Sequence, residues 1–348
     1  MDYLFIALLA FVPLAIGAAF AGASPVITFF LSALAIVPLA KYIGESTEEL
    51  ATKTTPVVGG LLNATFGNAT ELVIGIFALR AGLIEVVKAS ITGSIIGNLL
   101  FVLGFAMLAG GWSREKQTFN RTGILAQSST LFVATIALVV PAIFFQTAET
   151  AGASAVRNLC VLVSLVLIFI YGANLVFSLH THKHLYLEKA GELEPRWSTA
   201  RALATLIVAM LAVAYISDIL VGAITPLLER LGWSQLFVGV IFLAIVGNAA
   251  EHFSAVLVAR RNRMDLTLQI AIGSATQIVL IVAPVLVILG VFLGQPMDLI
   301  FNTFELVAMV LAVFIVNLVV QDGESNWLEG LQLLAAYIIM AIAFYLHP

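Results

Sequence analysis

Charged residues are scarce in this 348-residue chain, and that scarcity decides the medium in which it folds. Only 10% of the residues are Asp, Glu, Lys or Arg, 61% are hydrophobic, and the mean hydropathy is +1.08. A soluble domain carries about 25% charged residues, so a water-soluble globular fold is excluded. The sequence predicts an all-α protein that crosses a membrane many times and is surrounded by membrane lipid.

Cysteines, basic clusters and nucleotide-binding motifs are also rare or missing. Cys160 is the single cysteine, so no disulfide can form within the chain. The net charge is −4 and no basic stripe is present, so no nucleic-acid partner is expected. The absence of Walker A, H-E-x-x-H and G-x-S-x-G motifs disfavours ATP-driven pumping and familiar hydrolase chemistry. We therefore expect a protein that is not an enzyme and uses no cofactor.

Hydrophobic segments long enough to cross a bilayer recur along the chain. A membrane-spanning helix needs about 20 apolar residues, and none of the segments alternates like a barrel strand. Eleven spans are predicted, at residues 3-21, 25-44, 58-81, 86-110, 124-145, 158-179, 203-224, 236-259, 267-293, 302-320 and 327-346.

Basic residues are distributed unequally between the two sides of these spans. Twelve Lys and Arg residues lie on the side of the N-terminus and four lie on the other side. Because cytoplasmic loops are enriched in Lys and Arg, we expect a cytoplasmic N-terminus and, with an odd span number, a C-terminus outside. The expected location is the cell membrane of a prokaryote.

A five-residue pattern occurs twice, 180 residues apart, each time near the middle of a predicted span. The copies are Gly67-Asn68-Ala69-Thr70-Glu71 and Gly247-Asn248-Ala249-Ala250-Glu251. At the same offset, Val58-Gly59 matches Val238-Gly239 and Gly93-Ser94 matches Gly273-Ser274. The copies are five spans apart and, because five is odd, the second copy is inverted in the membrane. Inverted repeats are typical of alternating-access carriers.

This repeat divides the chain into a leading span and two halves. We predict a leading helix at residues 1-22 and a first inverted repeat of five helices at 23-180. A cytoplasmic linker at 181-202 then precedes the second five-helix repeat at 203-348.

Glu71 and Glu251 lie at equivalent depths of the predicted bilayer. An acidic residue at the centre of a spanning helix costs about 2.5–3.5 kcal/mol on insertion scales, so it marks a functional site by default. On a helix each glutamate shares a face with the glycine and asparagine of its motif, which are Gly67 and Asn68 or Gly247 and Asn248.

Together the two motifs predict an oxygen-rich cation and proton site of formal charge −2. Glycine can free a backbone carbonyl, which is tolerated at membrane depth where it lines a cavity. Ca²⁺ takes six to eight oxygen ligands and fits better than Zn²⁺, which prefers His and Cys.

Polar residues on the facing spans form a second tier of candidates. Ser94 and Asn98 are spaced i,i+4, and Ser274 and Gln277 are spaced i,i+3, so each pair shares a helix face. They act either as ligands or as helix-packing groups. His252 follows Glu251 in the second copy only and is weighed evenly between proton transfer and a structural role.

Other acidic residues have weaker claims. Glu48 and Glu49 follow the second span and belong either to a cytoplasmic cation vestibule or to a solvated face. For Asp218 and Glu305, near the ends of their spans, solvation at the membrane interface is favoured over a place on the ion pathway.

Four sequence strings together resemble a known family. They are the stretch from Gly59 to Ala69, Gly247-Asn248-Ala249-Ala250-Glu251-His252, Gly273-Ser274-Ala275-Thr276-Gln277 and Asn326-Trp327-Leu328-Glu329-Gly330. Their order and spacing resemble calcium/proton exchangers of the calcium/cation antiporter superfamily, over essentially the whole chain. The resemblance implies an eleven-span fold and Ca²⁺ export in exchange for protons, with Glu71 and Glu251 as the shared site.

Sodium coupling is the nearest alternative. The same resemblance implies that sodium-coupled relatives carry an acidic residue in the second facing span, where this chain has Ser274-Ala275-Thr276-Gln277-Ile278 and no acid. A passive cation channel can also use acidic rings, but inverted repeats favour a carrier. An intramembrane metalloenzyme is weaker still, because no nucleophile accompanies the glutamates. An oligomer is compatible with the sequence, which does not specify one.

Overall fold

The computed structural model describes residues 2–148, 152–182 and 196–347, which are almost entirely helical. The helices are α1 (Asp2–Leu8), α2 (Phe11–Phe20), α3 (Pro25–Ala51), α4 (Pro56–Phe66), α5 (Ala69–Arg80), α6 (Ile84–Gly111), α7 (Arg121–Thr147), α8 (Ser154–Thr181), α9 (Thr199–Leu231), α10 (Gln235–Gly247), α11 (Ala249–Arg260), α12 (Met264–Phe292), α13 (Thr303–Val319) and α14 (Trp327–Leu346). Strand β1 (Gln117–Thr118) pairs antiparallel with β2 (Glu324–Ser325). Much of the predicted linker at 181-202 lies outside the described residues.

The helices confirm a polytopic helical membrane protein. Within the described ranges, eight stretches are long and apolar enough to cross a bilayer, including Tyr3–Phe20, which joins α1 and α2. The pair α10 and α11 makes a ninth candidate, bent by 61°. Each of the eleven predicted segments coincides with a helix or a broken helix pair, but α13 is shorter than a full span. The count of eleven therefore stays a prediction.

Backbone structure repeats at the same 180-residue offset as the sequence. Helices α5 and α11 each have 12 residues, and the breaks that precede them lie at Asn68 and Asn248. Each helix is followed by a residue with positive φ, Gly82 at 75° and Asn262 at 60°. Glycine adopts this conformation freely and asparagine is among the residues that tolerate it. The domain boundaries and the inversion of the second half stay predictions.

Helices α6 and α12 form the centre of the molecule. In its most apolar stretch α6 is 83% buried and α12 is 61% buried, against 11% for the leading stretch Tyr3–Phe20. Both central helices contain π-helical turns, Gly97–Val102 and Ile278–Val282. Their position brings the polar faces of the predicted second tier into the interior.

Glycines allow close contact between helix backbones. A Cβ atom on Gly239 of α10 would lie 2.8 Å from the Val86 carbonyl oxygen of α6. On the opposite helix, a Cβ on Gly93 would overlap the Val240 carbonyl oxygen. Such small-residue contacts are typical of helix packing in membranes, and they leave no gap between α6 and α10 at this level.

Candidate cation site at the two helix breaks

The motif asparagines lie at the junctions between half-helices. Asn68 has φ −102° and ψ 25°, and Asn248 has φ −94° and ψ 13°, so neither backbone continues the preceding helix. Gly67 keeps helical angles of φ −55° and ψ −48°. The break therefore occurs at the asparagine rather than the glycine, and the carbonyl ligand expected from the glycine stays a prediction.

Each motif glutamate lies in the first turn of the half-helix that follows the break. Glu71 is the third residue of α5 and Glu251 is the third residue of α11. The partial positive charge of a helix N-terminus stabilises a carboxylate there. The C-terminal ends of α4 and α10 meet the same breaks, and the carbonyl groups of such half-helix ends are suited to cations.

The carboxylates are buried and incompletely paired. Glu71 is 7% exposed, and neither of its carboxylate oxygens has a hydrogen-bond partner among the described residues. Glu251 is half-buried, and its Oε2 is likewise unpartnered within that part of the chain. The two groups are close enough to interact electrostatically. Buried unpaired acceptors destabilise a fold and require an explanation; a proton or a cation would satisfy these.

An amide–hydroxyl network joins the two motif copies. Asn98 Nδ2 donates to Asn248 Oδ1 and to Ser274 Oγ, both at 2.9 Å. Asn248 Nδ2 donates to Ser94 Oγ at 2.9 Å, and Ser274 Oγ donates to Asn68 Oδ1 at 3.3 Å. A motif asparagine takes part in each of these bonds except the one between Asn98 and Ser274. The donors and acceptors around Asn98 and the motif asparagines set the orientation of their side-chain amides.

Gln277 completes this network. Asn68 Nδ2 donates to Gln277 Oε1 at 2.5 Å. Each predicted second-tier residue other than His252 is thus hydrogen-bonded directly to a motif asparagine: Ser94, Asn98, Ser274 and Gln277. The structure places the predicted second tier beside the first, while the ligand role of each residue stays a prediction.

Each motif glycine faces residues of the other half. A Cβ atom on Gly247 would lie 2.8 Å from Glu71 Cγ, so Glu71 packs directly on the second motif. A Cβ on Gly67 would lie 2.6 Å from the Asn63 carbonyl oxygen and 3.7 Å from Gln277 Oε1. Glycine at these positions therefore allows the two motifs to approach each other, a role that helix periodicity did not reveal.

Two cavities reach the glutamates from different directions. The larger, of about 670 Å³, contacts Glu251, the first-motif residues Gly67 and Asn68, and, near its mouth, the exposed residues Glu48, Thr52 and Asn63. The smaller contacts Glu71, Ser90 and Ser94 and has room for about one water molecule. The two glutamates thus differ in access.

Sequence reasoning did not identify several residues that line the larger cavity. Gln127 lies on α7, Asn174 and Ser178 lie on α8, and Gln269 lies on α12. The one sequence signal for these residues was that they are polar and lie inside predicted apolar spans. Their contribution depends on which way each helix faces, and the sequence lacks the periodicity to show this.

The surroundings of His252 and Glu305 bear on the roles expected for them. The His252 ring lies edge-on to Phe101, with centroids 5.9 Å apart, and it lines neither described cavity. Glu305 is 1% exposed and accepts a hydrogen bond from Thr92 Oγ1 at 3.0 Å, so interfacial solvation is wrong for it. It is instead part of the capping box that begins α13 with Asn302.

Glu48 and Glu49 separate into two roles. Glu48 lines the mouth of the larger cavity, as the vestibule alternative required. Glu49 accepts hydrogen bonds from the backbone N–H groups of Arg196 and Trp197 at 3.0 Å, so it anchors the chain that precedes α9. Among the described residues, no group of three His, Cys, Asp or Glu side chains could hold a metal ion.

A helical membrane protein with two equivalent helix breaks around buried carboxylates has the architecture of a secondary ion carrier. The family model described as sodium/calcium exchanger protein matches residues 24–180 and 201–346. The chain belongs to this family.

Individual relatives cover nearly the whole chain. It is 46% identical to a protein of Aphanothece halophytica named Ca(2+)/H(+) antiporter, over 99% of this chain and 97% of the relative. It is 47% identical to a protein of the same name from Synechocystis sp., over 99% and 98%. The solved structure of native YfkE superposes with a TM-score of 0.88 at 42% identity, covering 98% of this chain and 99% of that one. The resemblance to calcium/proton exchangers is confirmed.

Proposed function

We propose that this protein is a secondary antiporter that exchanges Ca²⁺ for H⁺ by alternating access, with Glu71 and Glu251 as the shared site. The observation that carries the proposal is the set of buried, unpartnered carboxylate oxygens on two equivalent helix breaks. The names of the relatives from Aphanothece halophytica and Synechocystis sp., Ca(2+)/H(+) antiporter, support the same pair of ions.

The donor chemistry favours Ca²⁺ as the transported cation. Two carboxylates balance its charge, and Asn98 Oδ1 is a further buried oxygen without a partner among the described residues. Asn68 and Asn248 bring two more amide oxygens to the same network. Ca²⁺ accepts such mixed oxygen sets in flexible geometry, so the site suits a cation that must bind and leave.

Proton coupling follows from the cost of bare carboxylates in the interior. Burial disfavours the charged form of a carboxylate, whereas a bound cation favours it. Either one Ca²⁺ or protons can therefore neutralise Glu71 and Glu251, but not both at once. Movement of the unloaded, doubly charged site through a low-dielectric interior is costly, so the site changes sides only when occupied. Exchange results.

The arrangement supports a state that is open to one side. The larger cavity connects Glu251 to the ends of α3 and α8, which the loop charges place in the cytoplasm. On the other side the contacts of Gly93 with Val240 and of Gly239 with Val86 close α6 against α10. The proposal includes inverted halves at 23-180 and 203-348, a view that the two matched ranges of the family model support. A prokaryotic cell membrane with the N-terminus inside remains part of it.

The test is Ca²⁺ flux into proteoliposomes with imposed ion gradients. An H⁺ gradient is expected to drive Ca²⁺ accumulation, whereas an Na⁺ gradient with clamped pH is not. The resemblance implies an acid in this helix of sodium-coupled relatives, and this chain has the amide Gln277 there instead. Sodium-driven accumulation would establish the sodium-coupled alternative. Flux that dissipates a Ca²⁺ gradient but never accumulates Ca²⁺ against one would indicate a channel.

A further inference from the structure

Gln127 reaches the larger cavity from a helix outside the repeated motifs. It lies in the second turn of α7 and packs against Gly273 of α12. A Cβ atom on Gly273 would lie 2.7 Å from Gln127 Nε2, with no other heavy atom within 4 Å. The missing side chain of Gly273 is therefore what leaves room for the glutamine amide.

The orientation of this amide is set by its hydrogen bond. Gln127 Nε2 donates to the Gln269 carbonyl oxygen at 3.4 Å. A carbonyl oxygen only accepts, so the Gln127 Oε1 atom must point away from Gln269. That oxygen is buried and has no hydrogen-bond partner in the described part of the chain. A buried acceptor in this condition calls for a ligand or another explanation.

The surroundings of Gln127 identify the class of ligand. Glu251, Ser274 and Gln277 line the same cavity, and all carry oxygen donors. Amide oxygens are common Ca²⁺ ligands. A cation that approaches Glu251 through this cavity would exchange part of its hydration shell for these neutral oxygens.

We propose that Gln127 Oε1 is a cation ligand on the cavity side of the site, additional to the repeated motifs. This inference rests on the proposed Ca²⁺/H⁺ exchange. Gln127 has no equivalent in the second half, since the residue 180 positions further on is Val307. Its contribution is therefore one-sided: it raises the apparent affinity for Ca²⁺ presented from the cavity side and leaves the opposite side unchanged.

The test compares two glutamines that share a buried, unpartnered Oε1 but differ in location. Gln117 Nε2 donates to the Ala259 carbonyl oxygen and to Asn262 Oδ1, both at 3.0 Å. Its Oε1 is also buried and unpartnered among the described residues, yet Gln117 does not line the cavity. Gln127→Leu is expected to raise the Ca²⁺ KM from the cavity side about five- to tenfold with little change in maximal rate. Gln117→Leu is expected to leave KM unchanged.

Substitution of Gly273 provides an independent test. Gly273→Ala should displace the Gln127 amide and raise KM by a similar factor in the otherwise unchanged protein. In the Gln127→Leu background the same alanine should have no further effect on KM, because the displaced group is gone. Independent effects, which multiply in the double variant, would show that Gly273 acts without Gln127 and would overturn the inference.

Protection by Ca²⁺ against thermal unfolding in detergent gives a readout that does not require transport. The Ca²⁺-dependent rise in Tm should be smaller in Gln127→Leu than in the unmodified protein and retained in Gln127→Glu, which keeps the oxygen. If Gln127→Leu fails to fold, Gln127→Glu must lower KM or the inference is wrong.

The outcomes separate the two proposals. Unchanged KM and unchanged Ca²⁺ protection in a folded Gln127→Leu variant would refute the ligand role, while H⁺-driven Ca²⁺ flux in the unmodified protein would leave the exchange function standing. Equal KM changes in the Gln117 and Gln127 variants would also refute it. Absence of H⁺-driven flux in the unmodified protein would overturn both.

Discussion

Glu71 is enclosed by protein, whereas Glu251 lies at a cavity that also contacts Gly67 and Asn68 of the first motif. Glu71 is 7% exposed beside a space for about one water molecule, and Glu251 is half-buried at the end of a cavity of about 670 Å³. The motif sequence and the backbone break are equivalent in the two copies. Access to a glutamate is therefore determined by how neighbouring helices pack around the motif.

Glycine pairs show how equivalent sequences pack differently. Gly93 and Gly239 bring α6 into direct contact with α10. Their counterparts 180 residues away, Gly273 and Gly59, both line the larger cavity instead. A Cβ on Gly273 would meet only Gln127, and one on Gly59 would meet Ala51. One glycine pair thus lies between α6 and α10, whereas its counterparts lie in the wall of the larger cavity.

Neutralising either glutamate is the strongest test of whether the two copies act together. Glu71→Gln and Glu251→Gln are each expected to abolish Ca²⁺ transport, because each removes one of the two charges that balance the cation. Flux into proteoliposomes should fall by more than about 100-fold, to the level of empty liposomes.

The control for those variants is Glu229→Gln, which changes an exposed glutamate near the end of α9. It should transport normally. Near-normal flux in either motif variant, at equal protein incorporation, would show that the two copies are not both required.

Thiol labelling can measure the difference in access directly. In a Cys160→Ser background, Asn63→Cys places a thiol in the larger cavity and Ser90→Cys places one in the small cavity beside Glu71. A charged methanethiosulfonate added from the cavity side should modify Asn63→Cys at least about tenfold faster, because a thiol needs solvent access to react. Equal rates, measured by mass spectrometry, would contradict the asymmetry between the copies.

The sequence alone predicted the residues at the centre of the proposed site and left its surroundings open. Glu71, Glu251 and the two motif asparagines were accessible to it because polar residues at membrane depth are costly and repeat at a fixed offset. Helix spacing predicted that Ser94 and Asn98, and likewise Ser274 and Gln277, share a helix face, but not the hydrogen bonds that join them to the motif asparagines.

Residues outside the repeat could not be placed in the same way. Gln127 has no counterpart, and its approach to the site depends on the missing side chain of Gly273, a contact between helices far apart in the chain. Glu305 was assigned to the interface from its position near the end of a span, but the turn at its helix start buries it against Thr92. Such contacts depend on tertiary packing, which the apolar pattern of a membrane helix does not encode.

Acidification of the cavity side should weaken Ca²⁺ binding if protons share the site. Protonated carboxylates no longer balance the cation and are poorer ligands. Between pH 8 and 6 the apparent Ca²⁺ KM should rise, by at most about tenfold per pH unit for one competing proton. Initial rates at fixed pH on the opposite side are the measurement. A KM that is constant over this range would contradict competition at Glu71 and Glu251.

The smallest effect is expected at His252, where the two copies differ in sequence. Leu72 occupies the equivalent position, so His252→Leu makes the second copy resemble the first. The ring packs edge-on to Phe101, and within the described part of the chain it lines neither of the two cavities. These surroundings favour a structural role for His252 over proton transfer. Loss of the ring contact should lower stability by about 0.5–1.5 kcal/mol and change the maximal rate by less than about twofold.

The pH profile of the same variant separates the alternatives for His252. A ring that carries protons to Glu251 would give the variant a shifted pH dependence of Ca²⁺ uptake, since an imidazole titrates in the range over which the competition is measured. A packing residue lowers yield or Tm and leaves the midpoint in place. We expect an unmoved midpoint in His252→Leu; a displacement of more than about half a pH unit would restore the proton-transfer role and make the second copy chemically distinct from the first.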